Sequence, residues 1–528
     1  MTAGDAWWTG SEGYVPELLS VLAARPDREV LHYRGSAVTG GEYVRSVAGI
    51  LRALREAGAA RGTVVAVLTA PNSPEMIAAR HAAHLLGAAV CYLRSTNPGS
   101  NASMLSATDQ LEILDATGAA VLYSDQDSVA RAVELAGPSG VTLVGRGLAE
   151  VPGGIDAAPA DDPGPGDPVA WKPEDLALVM FTSGSSGRPK GIRKSRAAWE
   201  GTVRTAVSAP LEADEVTALF STPLSHTAGP MVDGALAVGG RVLLLPEFHA
   251  ESVLSAVAEH AVTRTFMATT HLYRVLDVLD GRGHQDAVAA GLAGLRRLIY
   301  GGSSAAPARL SRATAVFGSV LLQVYGTSES GRLTFLNPAE HADQRLSATV
   351  GRPFPEVEIE VHDLDTAALL TDGQVGEIWM RSPQLMDGYL DDALNAQVLH
   401  GGWYGTGDIG YRDDRGYVHL LDRVADVVKV DGTKVYPAVV EREALTIPGV
   451  TLAAVYGIRD GDGTEHLHAA ITCRPGSPVS PAEVRSHLST SLSPAHAPER
   501  VLVLKEVPLN AGGKPDRNLL RRLSATPG

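Results

Sequence analysis

Short apolar runs that alternate with helix-like segments are the feature that most constrains the fold of this chain. Residues 43–54 carry apolar side chains at helical spacing, and residues 63–68 form a short β-branched run. A second helix-like segment at 75–86 is followed by an apolar run at 88–93. Buried strands that alternate with helices are typical of a parallel sheet covered on both faces. The sequence therefore predicts an α/β fold.

Further strands extend this pattern and then give way to a different one. They are predicted at 121–123, 141–144, 216–220, 241–245, 263–267, 295–300 and 320–325. Residues 152–168 are dense in Pro, Gly, Asp and Ala, which predicts a loop or linker without a packed element. Past Asp422 we expect a compact α+β unit with strands near 427–430, 453–456 and 469–473 and helices near 437–446 and 481–492. The predicted domains are residues 1–422 and 423–528.

The charge and the cysteine content exclude several classes of function. The chain has 45 basic and 60 acidic residues, a net charge of -15, which argues against nucleic acid or an anionic membrane as the main partner. Its two cysteines, Cys91 and Cys473, provide neither a disulfide framework nor a cysteine metal site. No signal-peptide pattern and no apolar run of about eighteen residues is found. We expect a soluble, cytoplasmic protein.

The loop at 181–191, Phe-Thr-Ser-Gly-Ser-Ser-Gly-Arg-Pro-Lys-Gly, follows an apolar strand-like run at 176–181. Its glycines allow backbone N–H groups to turn towards an anion, and its hydroxyls and Lys190 add donors and a positive charge. A flexible linker is the alternative, but a linker predicts neither a buried strand nor the Pro-Lys-Gly ending. A Walker loop is disfavoured because the Gly-Lys-Ser/Thr ending is absent. The loop is therefore predicted to bind phosphate.

Four more stretches carry residues suited to a nucleotide. Small residues at 300–307 allow a flat ring to approach the backbone, and 323–329 places an aromatic ring, hydroxyls and a carboxylate at the end of a strand, where open α/β sheets bind ligands. Glu329 is a candidate Mg²⁺ ligand, or alternatively a helix N-terminal charge. The Gly-Thr-Gly-Asp segment at 405–408 is predicted to be a tight turn whose carboxylate suits a ribose diol. Lys514 lies in a glycine-rich loop of the last domain, in a chain with seven lysines and 38 arginines.

In this order, these stretches resemble the superfamily of adenylate-forming enzymes, which includes acyl- and aryl-CoA ligases, nonribosomal peptide adenylation domains and luciferases. The resemblance covers nearly the whole chain, and its most specific motif is the loop at 181–191. It implies an N-terminal domain of stacked α/β sheet subdomains that binds AMP, and a small, mobile α+β lid that carries Lys514. It also implies ATP, Mg²⁺ and CoA as cofactors and co-substrates, and a small carboxylic acid as the substrate.

Site residues are implied by the same resemblance. The implied nucleotide site contains Thr182, Ser183, Gly184, Ser185, Ser186, Gly187, Lys190, Gly301, Gly302, Ser303, Tyr325, Gly326, Thr327, Ser328, Asp408, Arg423 and Lys514. The implied acid pocket contains His226, Thr227, Thr270, Gly301, Val324 and Arg332. The implied catalytic residues are Lys514, which would bridge carboxylate and phosphate oxygens, Glu329, which would hold Mg²⁺, and His226, Thr182 and Lys190. His226 would also gate the pocket.

Departures from the family pattern narrow the function. The family commonly rotates its lid about an Asp or Lys, but this position is Ala425, so transfer to a thiol is less strongly implied than adenylation. Val324 and Arg332 predict a shortened pocket with a nearby cation. Amino-acid-activating members place an aspartate where this chain has Thr227, which disfavours an α-amino acid. We therefore expect an AMP-forming ligase that activates a small, aromatic carboxylic acid and transfers it to CoA.

Three alternatives stay open. A stand-alone adenylation enzyme would load a carrier protein on another chain. A relative that activates nitrite in a diazo-forming step, or forms an amide, would act on an aryl substrate, and Ala425 and Arg332 motivate this hypothesis. A nucleotide-binding scaffold without turnover is disfavoured, because the residues expected to do the chemistry are all present.

Overall fold

Helices and strands alternate along the chain as the sequence predicts. The computed structural model describes residues 6–93, 105–164, 166, 169–183, 189–206, 216–282, 292–476, 478–509 and 514–525. In these ranges the helices are α1 (Tyr14–Ala23), α2 (Gly40–Glu56), α3 (Pro74–Leu85), α4 (Ala107–Thr117), α5 (Val129–Ser139), α6 (Arg196–Ala206), α7 (Ala228–Ala237), α8 (Ala250–Glu259), α9 (Thr269–Arg282), α10 (Pro307–Phe317), α11 (Asp392–Val398), α12 (Pro437–Ala444), α13 (Pro481–Ser491) and α14 (Arg517–Ala525).

The strands are mostly short, as expected for buried α/β sheets. They are β1 (Glu29–Tyr33), β2 (Ser36–Thr39), β3 (Val64–Leu68), β4 (Ala89–Tyr92), β5 (Val121–Ser124), β6 (Thr142–Gly145), β7 (Ile155–Asp156), β8 (Leu176–Ser183), β9 (Pro189–Ser195), β10 (Thr217–Phe220), β11 (Arg241–Leu244), β12 (Arg264–Ala268), β13 (Arg297–Gly301), β14 (Leu321–Thr327), β15 (Gly331–Leu336), β16 (Arg352–Pro353), β17 (Glu358–His362), β18 (Gly376–Arg381), β19 (Gly388–Tyr389), β20 (Leu399–His400), β21 (Trp403–Arg412), β22 (Val418–Arg423), β23 (Val428–Val430), β24 (Thr433–Val435), β25 (Val450–Arg459), β26 (Glu465–Cys473) and β27 (Arg500–Leu504).

Two large sheets and one smaller sheet form the N-terminal part. The first has the order β16-β15-β14-β13-β12-β10-β11-β1-β2 and is parallel from β1 through β14. The second has the order β19-β9-β8-β4-β3-β5-β6-β7, with a parallel centre and an antiparallel β8–β9 hairpin. The third, β17-β18-β21-β20 with β22 on β21, is antiparallel.

Helix α2 illustrates how local sequence produces the helical layer between the large sheets. Thr39 accepts a hydrogen bond from the Glu42 backbone while the Glu42 side chain bonds back to Thr39, a capping box that satisfies the first free N–H groups. Its apolar residues, among them Tyr43 and Ile50, are fully buried in the main core. That core is shared by α1, α2, α3 and α7 with strands of both large sheets.

A polar network is buried inside this core, where α3 meets α7. Arg80 and His81 of α3 both bond to Asp233 Oδ1 of α7, and all three side chains are fully buried. Arg80 Nη1 also donates to the Tyr92 hydroxyl at 2.9 Å, and the Tyr43 hydroxyl lies 2.8 Å from His81 Nδ1. Since a buried charge is costly unless it is paired, this network ties the two helices in one arrangement.

The C-terminal part has apolar clusters of its own. Strands β25, β26 and β27 form a sheet, and α12 and α13 pack against it. Its main cluster lies between Val428 and Val501 and is separate from the N-terminal core. Asp280 and Arg474 form one of the ion pairs between the two parts, at 3.3 Å. The domain boundary after residue 422 remains a prediction.

Two local predictions are wrong. The segment 405–408 is not a tight turn but the middle of β21, which pairs with β18 and β22 on either side; Gly407 adopts a φ of 71°, so the strand distorts without reversing. The predicted loop 152–168 contains β7, which adds two residues to the edge of a sheet through parallel pairing with β6. In the described part of the chain no helix has the length and apolar character needed to cross a membrane.

The buried network yields a stability prediction. Asp233→Asn removes the negative charge that compensates Arg80, and leaves a buried cation without its counter-ion, so we expect destabilisation by about 3–5 kcal/mol. Thermal and urea unfolding of the purified variant would measure this loss. Asp372→Asn is the matched control, because Asp372 forms an exposed ion pair with Arg412 and its loss should leave the unfolding midpoint nearly unchanged. Equal midpoints in the two variants would contradict the assignment.

Candidate active site

One large cavity brings most of the predicted site residues together. It has a volume of about 1340 Å³ and lies between the first large sheet, the third sheet and the C-terminal part. The predicted residues in its wall are Lys190, His226, Thr227, Thr270, Gly301, Gly302, Ser303, Val324, Tyr325, Gly326, Thr327, Ser328, Glu329, Arg332, Asp408, Arg423 and Lys514. Thr182 and Ser183 end β8 and pair with Lys190 and Pro189. Gly184, Ser185, Ser186 and Gly187 lie outside the described residues.

Parallel strands explain why residues far apart in sequence meet here. Strands β10, β12, β13 and β14 run in the same direction, so the segments that follow them leave from one edge of the sheet. His226 follows β10, Thr270 follows β12, Gly302 and Ser303 follow β13, and Thr327 ends β14. The Thr269 hydroxyl donates to the Ser303 carbonyl at 2.9 Å and holds two of these segments together. This edge is where open α/β sheets bind ligands.

Gly301 is required by the packing of neighbouring strands. A Cβ atom at this position would lie 2.2 Å from the carbonyl oxygen of Val324 on β14, which no side chain could tolerate. The next residue, Gly302, has a φ of 89°, a conformation that favours glycine. The glycine pair therefore has a structural reason as well as the nucleotide-binding reason that the sequence indicates.

A buried carboxylate joins three separate segments at the site. The Tyr325 hydroxyl on β14 donates to Asp408 Oδ2 at 2.6 Å, and Arg423 Nε at the end of β22 lies 2.9 Å from Asp408 Oδ1. Asp408 is buried, whereas half of the Arg423 side chain is exposed. The negative charge of Asp408 raises the pKa of Arg423, so the guanidinium stays charged. The predicted juxtaposition of Asp408 and Arg423 is thus present, with Tyr325 as an additional partner.

Glu329 lies on the turn after β14 and faces the cavity. Its Oε1 accepts a 2.9 Å hydrogen bond from the Tyr389 hydroxyl, and in the described part of the chain its Oε2 makes none. Among the described residues no cluster of three or more His, Cys, Asp or Glu side chains could hold a metal. Mg²⁺ characteristically takes one or two carboxylates and completes its shell with water and substrate phosphates. One carboxylate with a free oxygen fits that mode of binding.

Sequence reasoning missed two residues beside Glu329. Lys194 is buried, and its ammonium donates to the backbone carbonyls of Glu329 at 2.9 Å and Gln384 at 2.5 Å, which holds the turn in place. Burial lowers its pKa to about 8. The second residue, Tyr389, bonds Glu329 and lies with its ring 5.6 Å from the Lys190 ammonium. The scarcity of lysine that drew attention to Lys190 applied equally to Lys194, whereas Tyr389 carried no such signal.

Lys514 enters the cavity from the C-terminal part. Its side chain is exposed to the cavity, yet the surrounding walls and the positive charge of Arg423 lower its pKa to about 8. Asp408 and Glu329 act in the opposite direction. The lysine is therefore mostly charged at neutral pH and faces the same space as both carboxylates.

His226 is a neutral imidazole in the cavity wall. Burial lowers its pKa to about 4, against the effect of a hydrogen bond with the Phe181 backbone. Its Nδ1 lies 2.8 Å from the Ser225 hydroxyl. Phe181 lies on β8 and is the first residue of the predicted phosphate loop, so His226 bonds the start of that loop. A neutral ring offers a hydrogen bond to an acid but no ion pair.

Arg332 lines the cavity as the predicted nearby cation, but its charge is paired. Its guanidinium lies 2.8 Å from Glu356, donates to the Thr205 carbonyl at 3.2 Å and stacks 4.0 Å above the centre of the Phe354 ring. The sequence alone could not predict the pairing with Glu356, because this contact depends on where the segment after β15 lies in the fold. Val324 lines the cavity together with Leu322 and Gln323 of the same strand, and the shortening at Val324 stays a prediction.

Asp422 lies near the end of β22, at the predicted domain boundary. The carboxylate accepts hydrogen bonds from the backbone N–H groups of Arg423 and Ala438, both at 2.7 Å. Burial raises its pKa to about 6. Ala425, at the expected pivot position, lies in a short 3₁₀ turn (Val424–Asp426) and lines the cavity. Asp422 thus anchors helix α12 to the end of β22.

Comparisons with known proteins agree with this architecture. The family described as AMP-binding enzyme matches residues 20–390, and the AMP-binding enzyme C-terminal domain matches residues 439–514. A feruloyl-CoA synthase from an Amycolatopsis species is 31% identical over 94% of this chain and 96% of its own length. The medium/long-chain-fatty-acid–CoA ligase FadD8 of Mycobacterium tuberculosis is 27% identical over 96% of this chain and 89% of its own length.

A solved structure extends the similarity to the whole fold. The amide bond synthetase McbA from Marinactinospora thermotolerans superposes with a TM-score of 0.83 and is 33% identical, covering 97% of this chain and 99% of its own. The first family alone matches well over half of the chain, and the second covers most of the C-terminal part. The chain therefore belongs to the AMP-binding enzyme family and is an ATP-dependent, adenylate-forming ligase.

Proposed function

We propose that this enzyme activates an aromatic carboxylic acid and transfers the acyl group to CoA. In the first step a carboxylate oxygen attacks the α-phosphorus of ATP, the bond to the β-phosphate oxygen breaks, and pyrophosphate leaves. In the second step the CoA thiol attacks the carbonyl carbon of the adenylate, loses its proton, and displaces AMP.

Two free cysteines, Cys91 and Cys473, suit a reducing cytoplasm.

The observation that carries the proposal is the convergence of Lys514, Glu329 and Asp408 on one cavity. They come from the C-terminal part, from the end of β14 and from β21. A carboxylate and a triphosphate repel each other, so their reaction needs cations held where negative charge increases. The Lys514 ammonium supplies one such charge, and Lys190 supplies another on the hairpin of the predicted phosphate loop.

The remaining roles follow from the contacts of each side chain. Glu329 would hold Mg²⁺, which supplies charge neutralisation at the phosphates, with Tyr389 and Lys194 keeping the carboxylate and its turn in place. Asp408, fixed by Tyr325 and Arg423, would accept hydrogen bonds from the ribose hydroxyls. Lys514 would bridge the attacking carboxylate and an α-phosphate oxygen, so that the two reacting atoms are in line.

The choice of an aromatic acid rests on the walls of the cavity. Beyond His226 they carry the rings of Phe220, Phe266 and Phe335 together with aliphatic side chains. Flat apolar surfaces suit an aryl or arylacrylic acid. The similarity to a feruloyl-CoA synthase supports the same class.

Amide formation is the second candidate for the transfer step. The similarity to the amide bond synthetase McbA favours amide formation. Ala425 also stands where the family commonly has the Asp or Lys about which the lid rotates. In that case an amine, and not a thiol, would attack the adenylate. Adenylation is common to both candidates and only the acceptor differs.

A panel assay tests the proposal. Pyrophosphate release from ATP and Mg²⁺ would be measured with benzoates, cinnamates, fatty acids and amino acids, each with and without CoA, and with amines as alternative acceptors. We expect a cinnamate or benzoate to give the fastest release, and CoA to convert the adenylate to a thioester. Faster release with fatty acids would overturn the aromatic assignment, and an amide product without thioester would replace CoA by an amine. ATP consumption that required nitrite and an aryl amine would contradict acid activation.

Tyr325→Phe tests the placement of the ribose-binding carboxylate. The change removes one hydrogen bond to the buried Asp408 and keeps the ring, so we expect the KM for ATP to rise about 10- to 100-fold, the range for a bond to a charged group. Steady-state kinetics at saturating acid would measure it. Tyr456→Phe is the matched control, because that buried hydroxyl bonds Ser524 at 2.7 Å and neither residue lines the cavity. An unchanged KM in Tyr325→Phe would remove Asp408 from the nucleotide site.

Lys514 yields a prediction on pH dependence. Its pKa of about 8 means that the required ammonium is present below that pH and is lost as the pH rises, so kcat/KM for adenylation should fall through about pH 8. Lys514→Ala should lower the adenylation rate about 100- to 1000-fold. In Lys514→Arg the cation persists at higher pH, so the alkaline fall should shift upward. Lys194 has a similar pKa, so Lys194→Met is the control. If the alkaline fall in kcat/KM disappeared only in this variant, the titrating group would be Lys194 and not Lys514.

A further inference from the structure

Two arginines line the cavity at the end far from Lys514. Arg264 is the first residue of β12 and Arg297 is the first residue of β13, and the two are paired in register on adjacent parallel strands. Both side chains are partly buried and both line the cavity. Adjacent strands are about 4.8 Å apart, so the two guanidinium groups start from neighbouring positions on the same face.

These two arginines lack the protein acceptors that the other arginines of the cavity have. Arg442 and Arg521 donate to the backbone carbonyls of Leu420 and Gly457, each at 3.1 Å. Arg332 pairs with Glu356, Arg423 with Asp408, and Arg517 with both Asp426 and Glu441. In the part of the chain that the structure describes, the pair on β12 and β13 makes no hydrogen bond or ion pair with a protein group.

Two like charges held together without an acceptor are unfavourable. Burial and the charge of Arg297 both lower the pKa of Arg264, which reports that cost, although an arginine remains charged at any physiological pH. A guanidinium has five donors in a planar fork that matches a carboxylate. Two such forks side by side form a receptor for an anion.

The strands place this receptor at a defined distance from the reacting end. Residues 264, 266 and 268 of β12, and 297, 299 and 301 of β13, all face the cavity. Each set spans five residues, which are four steps of roughly 3.3 Å and together about 13 Å. Gly301 lies at the nucleotide end of this distance and Arg297 at the other end. Between them the wall is mostly apolar, with Phe266, Ile299 and Leu322 beside the polar Thr265 and Gln323.

We propose that Arg264 and Arg297 bind a carboxylate at the end of the substrate opposite to the group that reacts at the adenylate site. The substrate would have an apolar, aryl-containing body and an anionic group about one nanometre from its reacting end. This inference deepens the proposed function and rests on it for the identity of the reacting group. It makes the cavity selective for a molecule with two polar ends.

The test compares two ligands that differ in one charge. The probes are para-carboxycinnamic acid and its mono-ester at the ring carboxyl, which leaves the acrylic carboxyl free in both. Binding is measured by calorimetry without ATP, and turnover by pyrophosphate release. We expect the wild-type enzyme to bind the diacid about 10- to 100-fold more tightly than the ester, the range for hydrogen bonds to a charged group.

Substitutions assign the preference to the two arginines. Arg264→Met and Arg297→Met should each weaken diacid binding about 10- to 100-fold, and leave the affinity for the ester and the KM values for ATP and CoA within about twofold. Arg296→Met is the matched control, since Arg296 is exposed and lies outside the cavity wall. Unfolding temperatures equal to the wild type confirm that the variants fold.

Each outcome separates the inference from the proposed function. Equal binding of diacid and ester by the wild type, or an equal loss for both ligands in the variants, would overturn the inference. A raised KM for CoA in the variants would reassign the arginines to CoA phosphates, which also overturns it. Charge-dependent binding without turnover of any acid would uphold the receptor and reject acid activation. The enzyme could instead turn over meta-aminocinnamic acid with nitrite and lose this activity when the carboxyl group of the acid is esterified. That result would also support carboxylate binding by the two arginines, and nitrite would then be the group that reacts at the adenylate site.

Discussion

The parallel pairing of β10, β12, β13 and β14 is the constraint on which the site depends. Parallel strands share one direction, so whatever precedes them collects at one edge of the sheet and whatever follows them collects at the other. At the second edge this brings His226, Tyr325 and Glu329 into one wall, although about one hundred residues separate the first from the last. At the first edge it places two arginines side by side. The backbone register therefore sets both ends of the cavity.

Buried polar contacts then fix the elements that the sheets alone would leave adjustable. Asp233 joins two helices of the central layer, and Asp408 joins β14, β21 and the end of β22. In each case a carboxylate with little access to solvent has a cationic partner and a second donor. Since removing either partner leaves an uncompensated charge, such contacts admit few alternative arrangements. The edge of the sheet that lines the cavity is thus held by polar contacts as specific as the packing behind it.

The distribution of charge in the cavity is unusual for an acidic protein. The whole chain has a net charge of -15, yet Lys190, Lys194, Lys514 and several arginines surround one space. Arg332, Arg423 and Arg517 pair with nearby carboxylates, whereas Arg264 and Arg297 have no ion-pair partner in the described part of the chain. An enzyme that must bring a carboxylate to a triphosphate needs cations at one end, because the two anions repel each other. Adenylation requires no cation at the second end of the cavity, where Arg264 and Arg297 lie. We therefore infer that these two arginines contact the rest of the substrate.

Local periodicity and short contiguous motifs were enough to predict the order of the helices and strands and the family, and they named residues that the fold brings together in one cavity. They did not predict that 405–408 is part of a strand, that Glu356 pairs with Arg332, or that Lys194 and Tyr389 support Glu329. The pairing of Arg264 with Arg297 belongs to the same group. Each of these facts depends on which segments become neighbours in space, and a contact between distant segments leaves no periodic signal in either of them.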